Sequence, residues 1–185
     1  MSPILGIWAS QISGRLWEPQ GAYDALSTVT VPSGGVASIT FAAIPNTYKH
    51  LQLRGIARST AGGSSVTSVF CTINSSVSAD RNHYIYGNGS TASAGAQVSN
   101  LIGFAQGTSQ TASSFGATIL DILDYSNTSK NKTFRSLSGD DTNGGGDIML
   151  NSNLFVTTAA ITALNLTLSA GNFAEYSQFT LYGIR

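Results

Sequence analysis

Few side chains in this chain could do acid–base or nucleophilic chemistry. The chain has 185 residues, with nine Asp or Glu and two histidines, His50 and His83. We expect His50, beside Lys49, to be solvated, whereas His83 in NHYIY could hydrogen-bond a carboxylate or line a subunit contact. The G-x-S-x-G turn that presents a nucleophilic serine does not occur. These features predict a protein that is not an enzyme.

The segment ILDILDY holds two carboxylates, Asp121 and Asp124. Their odd spacing places them on opposite faces of a strand, so one strand cannot supply the carboxylate pair of a glycosidase. Either could still pair with a carboxylate elsewhere. The alternative is that one of them is an inward carboxylate bonded to backbone amides or to an arginine such as Arg135.

A metal or cofactor site is not expected. GDDTNGGGD places Asp141, Asn143 and Asp147 at alternate positions, as a calcium loop would, but it lacks the bidentate Glu of an EF-hand, and a hairpin turn is favoured. Cys71 is the only cysteine, so neither an intrachain disulfide nor a cysteine zinc site can form. We expect Cys71 to be buried as a small apolar side chain.

Charge is scarce and balanced. Charged residues make up 10% of the chain and the formal net charge is zero, against roughly 25% charged residues in typical domains. The balance disfavours nucleic acid and membrane partners, and it favours self-association. Neither a signal peptide nor a stretch of about 20 apolar residues is recognisable, which predicts a soluble protein made in a cytoplasm.

The alternation of apolar and polar residues predicts an all-β fold. Period-two segments recur between turn residues, and helical periodicity is nearly absent. We expect nine or ten strands in a single antiparallel β-sandwich, with a jelly roll as the favoured wiring. Three hairpins are predicted: 26–31 with 36–41 across PSGG, 115–125 with 132–138, and 161–168 with 173–184 across SAGN. In the strand 48–58, Leu51, Leu53, Gly55 and Ala57 should form the core face.

The most apolar segment precedes the first predicted strand. Residues 1–22 are interpreted as a docking arm and residues 23–185 as the sandwich domain. Leaving the large apolar side chains of the arm in water would cost on the order of 1.5 to 3 kcal/mol each. They could cover their own domain as an edge strand or lid, or dock on a partner. The docking candidates are Ile4, Leu5, Ile7, Trp8, Ile12, Leu16 and Trp17.

Several segments resemble a known group of sequences. SPILGIWASQISG, LSTVTVPSGGVASITFAAIPNTYKHLQLRGIAR, ILDILDYSNTSKNKTFRSLSG and FAEYSQFTLYGIR together resemble small virion structural proteins of tailed bacteriophages, described as capsid decoration, head-fibre, tail-fibre or minor tail proteins. The resemblance implies membership of the virion, assembly in the host cytoplasm, other virion proteins as partners, and a homo-oligomer, with a trimer favoured.

Three functions follow from these observations. The first is a capsid decoration, cement or head-fibre subunit docked through the apolar arm; the absence of a repeat or coiled-coil shaft favours it. The second is a tail fibre or tail tip that binds a host receptor or glycan through the loops of 87–113. The third is a lectin or carbohydrate-active enzyme, with Trp8, Trp17, Tyr84 and Tyr86 as stacking platforms. The possible glycan or subunit contacts are His83, Tyr84 and Tyr86.

Overall fold

The computed structural model describes residues 21–74, 79–142 and 144–185, and every regular element in these ranges is a β-strand. The strands are β1 (Tyr23–Thr30), β2 (Ser38–Phe41), β3 (His50–Ala57), β4 (Val66–Ile73), β5 (Arg81–Gly87), β6 (Ala92–Gln97), β7 (Leu101–Gln106), β8 (Gly116–Ile122), β9 (Lys132–Thr142), β10 (Gly145–Phe155), β11 (Leu164–Leu168) and β12 (Gln178–Ile184). No helix long and apolar enough to cross a membrane occurs in these ranges. The seven docking residues of the predicted arm lie outside them.

Two antiparallel sheets pack face to face. The larger sheet has eight strands in the order β1-β12-β3-β8-β9-β10-β5-β6, and the smaller has four in the order β2-β11-β4-β7. The predicted all-β sandwich is therefore confirmed, but the described residues form twelve strands, so the expected count of nine or ten was wrong. The jelly-roll wiring is not confirmed, because β8, β9 and β10 are consecutive neighbours that form a meander in the larger sheet.

Alternation along each strand builds the core between the sheets. Leu53 and Leu120 of the larger sheet and Val69 of the smaller sheet are at most 1% exposed and belong to one apolar cluster. Strand β3 follows the predicted inward pattern, since Leu51, Leu53 and Ala57 are buried and Gly55 is half-buried. Strand β4 also alternates, and its Val69 and Cys71 are buried. Cys71 is buried as predicted, and burial raises the pKa of its thiol to about 12.

A polar layer lies between the sheets beside this apolar core. The Asn82 amide donates to the side-chain oxygens of Asn153 at 2.6 Å and Asn151 at 3.2 Å. Asn151 in turn donates to the Ser136 hydroxyl at 3.3 Å, and Asn153 donates to the Leu101 carbonyl at 3.0 Å. This last bond joins the larger sheet to β7 of the smaller sheet.

Two of the three predicted hairpins are wrong. The chain turns at PSGG, where Gly34 and Gly35 have φ values of 91° and 73°, but β1 belongs to the larger sheet and β2 to the smaller. The turn at SAGN likewise joins β11 of the smaller sheet to β12 of the larger. Both turns carry the chain from one sheet to the other. The third hairpin, β8 with β9, is confirmed.

Neither Asp121 nor Asp124 is the inward carboxylate that the sequence suggested. Asp121 lies opposite Arg135 on the outer face of the larger sheet and accepts a hydrogen bond from the Gln52 amide at 2.6 Å. Strand β8 ends before Asp124, which has a φ of 48° and accepts a hydrogen bond from Lys130 at 2.8 Å.

The expectation that His50 is simply solvated is also wrong. Its side chain is 29% exposed. The Nδ1 atom of His50 accepts the backbone N–H of Asp124 at 3.0 Å. His50 therefore holds the turn that follows β8.

A close contact between β3 and β12 gives the first test. Gly55 pairs with Phe179, and a Cβ atom at position 55 would lie 2.0 Å from Cδ1 of the Phe179 ring, which is 1% exposed. Gly55→Ala should lower the free energy of unfolding by about 1 to 3 kcal/mol, as overpacking of a closed core does. Urea denaturation measures the change.

Gly62→Ala is the matched control. A Cβ atom at position 62 would meet nothing within 4 Å, so this variant should unfold close to the parent midpoint. Equal urea midpoints for Gly55→Ala and Gly62→Ala would contradict the conclusion that the Phe179 ring packs against Gly55.

Candidate interaction surfaces

The three predicted contact residues of β5 do not lie on one surface. Tyr84 and Tyr86 point toward the smaller sheet and are half-buried, whereas His83 is exposed on the opposite, outer face. The alternation of β5 separates them because consecutive side chains leave a strand on opposite sides. His83 thus shares the outer face with Ile85.

Tyr84 and Tyr86 line a cleft between the two sheets, here called the aromatic cleft. It has a volume of about 450 Å³. Its remaining lining residues are Ser68, Phe70, Ser93, Gln97, Ser99, Leu101, Phe104 and Met149. The Tyr86 ring meets the Phe104 ring edge-on with centroids 6.3 Å apart. Aromatic walls with a few hydroxyl and amide groups are typical of small-ligand sites.

An acidic group adjoins the aromatic cleft. The Tyr86 hydroxyl donates to the Asp147 carboxylate, and this bond raises the pKa of Tyr86 to about 12. Asp147 pairs in register with Asp140 on the inner face of β9. Asp140 is 6% exposed, and neither of its carboxylate oxygens has a hydrogen-bond partner among the described residues. Burial, reinforced by the charges of Asp147 and Asp141, raises the pKa of Asp140 to about 6.

The GDDTNGGGD segment forms the hairpin turn that the sequence favoured. Strand β9 runs to Thr142 and pairs with Gly145 at the start of β10, and Gly144 has a φ of 103°. Asn143, one of the proposed calcium ligands, lies outside the described residues. Within the described ranges, no group of three or more His, Cys, Asp or Glu residues is arranged to hold a metal ion.

The outer face of the larger sheet carries a row of exposed apolar side chains. Ile119 on β8, Leu137 on β9, Leu150 on β10 and Ile85 on β5 are directly opposite one another in register. Between 41% and 60% of each side chain is exposed. We call these four residues the apolar ridge. Contiguous exposed apolar surface of this kind marks an interaction site.

Small residues lie beside the ridge. The next row, two residues along the strands, holds Ala117, Gly139, Ile148 and Gly87 in the same strand order. We call this row the groove, since three of its four residues have no side chain beyond a methyl group. Ile148, which is 59% exposed, interrupts the groove at β10. Strand β6 continues the face with Ala92, Ala94 and Ala96, which are exposed and pair with Gly87, Ile85 and His83.

Sequence reasoning did not find this outer face. Period-two alternation predicts which positions enter the core, and it predicts polar residues at the alternate positions. In GATILDI both the inward and the outward positions hold Ile or Leu: Leu120 is buried in the core, and Ile119 is exposed on the outer face. A strand with large apolar side chains on both faces was the available signal.

Comparison of the chain with protein-family models, with curated proteins and with solved structures finds no match in any of the three.

The buried Asp140 predicts how stability changes with pH. Because its pKa is raised from 3.8 to about 6 in the folded protein, the folded state holds this proton more tightly than the unfolded state does. The free energy of unfolding should therefore fall as the pH rises from about 4 to about 6, and this contribution should be constant above that. Asp140→Asn should remove the decline and stabilise the protein at pH 7, as measured by urea denaturation across this pH range.

Asp121→Asn is the control for this pH dependence, because Asp121 lies on the outer face of β8 and its charge is not among those that raise the pKa of Asp140. This variant should retain the decline of the parent chain. A parent-like decline in Asp140→Asn would show that another group causes it.

Proposed function

We propose that this chain is a non-enzymatic virion structural protein of a tailed bacteriophage, a capsid decoration, cement or head-fibre subunit that docks through the apolar arm at residues 1–22. The observation that carries the proposal is the apolar outer face of the larger sheet. The four ridge residues, Ile119, Leu137, Leu150 and Ile85, are exposed side by side in a chain with zero formal net charge. Such a surface suits a subunit of an assembly.

The virion setting comes from the resemblance of the four quoted segments. Within that setting the arm supplies the dock, since Trp8 and Trp17, with five Ile and Leu residues, form the kind of anchors that concentrate binding energy. The partners are other virion proteins and further copies of this chain, the resemblance favouring a trimer. Low, balanced charge is a poor match for nucleic acid or an anionic membrane.

The aromatic cleft favours a second function, a tail fibre or tail tip that binds a host receptor or glycan. Tyr84 and Tyr86 face Phe70 and Phe104 across the cleft, and Gln97 supplies an amide. The hydroxyl of Tyr84 approaches Gly95, where a Cβ atom would lie 2.6 Å away from it. Gly95 therefore makes room for this tyrosine.

Removal of residues 1–14 tests the docking role of the arm. If the arm docks on a partner, the shortened chain should remain folded by circular dichroism but no longer join particles, and electron microscopy of particles with the full chain should show the sandwich on the capsid lattice. Unfolding of the shortened chain would assign the segment to its own core. Density at the tail would favour the second function.

A glycan array tests the second function directly. Tyr84→Ala should abolish binding that the parent chain shows, because the substitution removes one wall of the aromatic cleft. Tyr176→Ala is the control, since Tyr176 is 67% exposed and is not among the lining residues of the cleft. No glycan signal from the parent chain, or equal loss in both variants, would count against a glycan function.

A further inference from the structure

We infer that the outer face of the larger sheet is the contact between two copies of this chain, related by a twofold axis that crosses strand β9 midway between Leu137 and Gly139. The inference rests on the proposed reading of this face as an association surface, and it names the partner. A twofold contact requires that one patch fit itself after a half-turn. The ridge and the groove, and the charges of β9, meet this requirement, and the size of the face is compared with that of known interfaces.

The shape of the face is the first argument. The ridge and the groove run side by side across β8, β9, β10 and β5. A half-turn about an axis parallel to both, and midway between them, places the ridge of each copy over the groove of the other. Two sheets then pack face to face with nearly aligned strands, about 10 Å apart as in other sheet packings.

The side chains brought together by this half-turn differ in size. Leu137 of each copy lies over Gly139 of the other, Ile85 over Gly87, and Ile119 over Ala117. At these three places a large side chain meets a residue with at most a methyl group. The fourth ridge residue, Leu150, meets Ile148, which makes an apolar contact at the remaining strand.

The charges of β9 are the second argument. Arg135 lies two residues before Leu137, and Asp141 lies two residues after Gly139; both are exposed on the outer face. The half-turn that exchanges positions 137 and 139 also exchanges positions 135 and 141. Arg135 of each copy therefore lies opposite Asp141 of the other, and the contact contains two such pairs of opposite charge.

The size of the face is the third argument. Five strands, β8 to β6, at about 4.8 Å spacing, and the six residue steps from Arg135 to Asp141, at about 3.3 Å each, give a face of roughly 24 by 20 Å. The projection of such a face is roughly 480 Å², and its accessible surface is larger, which brings it near the lower end of stable interfaces at roughly 600 Å² per partner. A second copy also brings no excess charge of either sign, since the chain is neutral.

Two charge-reversal variants of the full chain test this geometry. In a pair of Arg135→Asp chains, each of the two charged contacts would bring two Asp side chains together. In a pair of Asp141→Arg chains, each contact would bring two Arg side chains together. Each variant alone should show a dissociation constant raised at least about tenfold by the like charges. An equimolar mixture should restore parent-like affinity as a one-to-one pair, because both contacts then join opposite charges. Sedimentation equilibrium gives the affinity, and native mass spectrometry identifies the mixed pair.

Arg81→Asp is the matched control. Arg81 is exposed on the same face of β5 and undergoes the same charge reversal, but it lies five residues from the axis, and β5 of the other copy ends at Gly87, before the corresponding position, so no charged residue of that strand lies opposite it. This variant should pair as the parent does. Equal weakening by Arg81→Asp, or a mixture that fails to restore affinity, would overturn the proposed register.

Other results would name a different occupant of the face. The twofold pair differs from the trimer that the resemblance favours. A parent chain that forms such a trimer, or that stays monomeric at all concentrations, would overturn the twofold pair. A monomeric parent that pairs only after removal of residues 1–14 would assign the face to the arm of the same chain. In each case the particle-joining experiment still decides the proposed virion role, so the two failures are distinguishable.

Discussion

The burial of one face of the larger sheet against the smaller sheet is the interaction on which the rest of the structure depends. Each strand of the larger sheet has two faces, and the smaller sheet covers only the inner one. Leu53, Leu120 and Phe134 lie on this inner face and are at most 1% exposed. A register shift of one residue would send them outward, so the core also determines which side chains form the outer face. The exposed ridge is thus a direct consequence of the buried core.

The smaller sheet has half as many strands as the larger, and this difference creates the polar layer and the cleft. Toward β5 and β6 the space between the sheets holds Asn82, Asn151 and Asn153 as well as the aromatic cleft, which Tyr84 and Tyr86 line. Each amide hydrogen bond needs a particular partner, so the polar layer favours one alignment of the strands. Apolar packing alone specifies the alignment less strictly. The same end of the sandwich carries the buried Asp140, whose raised pKa reflects the low polarity of its surroundings.

The sequence was sufficient for the elements whose pattern depends on one face alone. The inward residues of β3, the pairing of β8 with β9, and the burial of Cys71 follow from period two, from turn residues close to the strands and from the apolar character of a free cysteine. The partners of β1 and β12 did not follow, because PSGG and SAGN specify that the chain turns and do not specify which sheet it enters next. The aromatic cleft could be anticipated only in part, since Tyr84 and Tyr86 were identified but Phe70 and Phe104 come from distant strands. The ridge was not predicted, because an Ile or Leu on the outer face cannot be distinguished by residue type from an Ile or Leu in the core.

The buried thiol of Cys71 has a practical consequence for study of the chain. Thiol reagents react with the thiolate, and a pKa of about 12 in a side chain with no exposed surface leaves almost none of it at neutral pH. Cys71 is also the only cysteine of the sequence. A cysteine introduced on the surface would therefore be the sole reactive thiol of the folded protein, so a fluorophore or spin label could be attached at one chosen position without replacing the native residue.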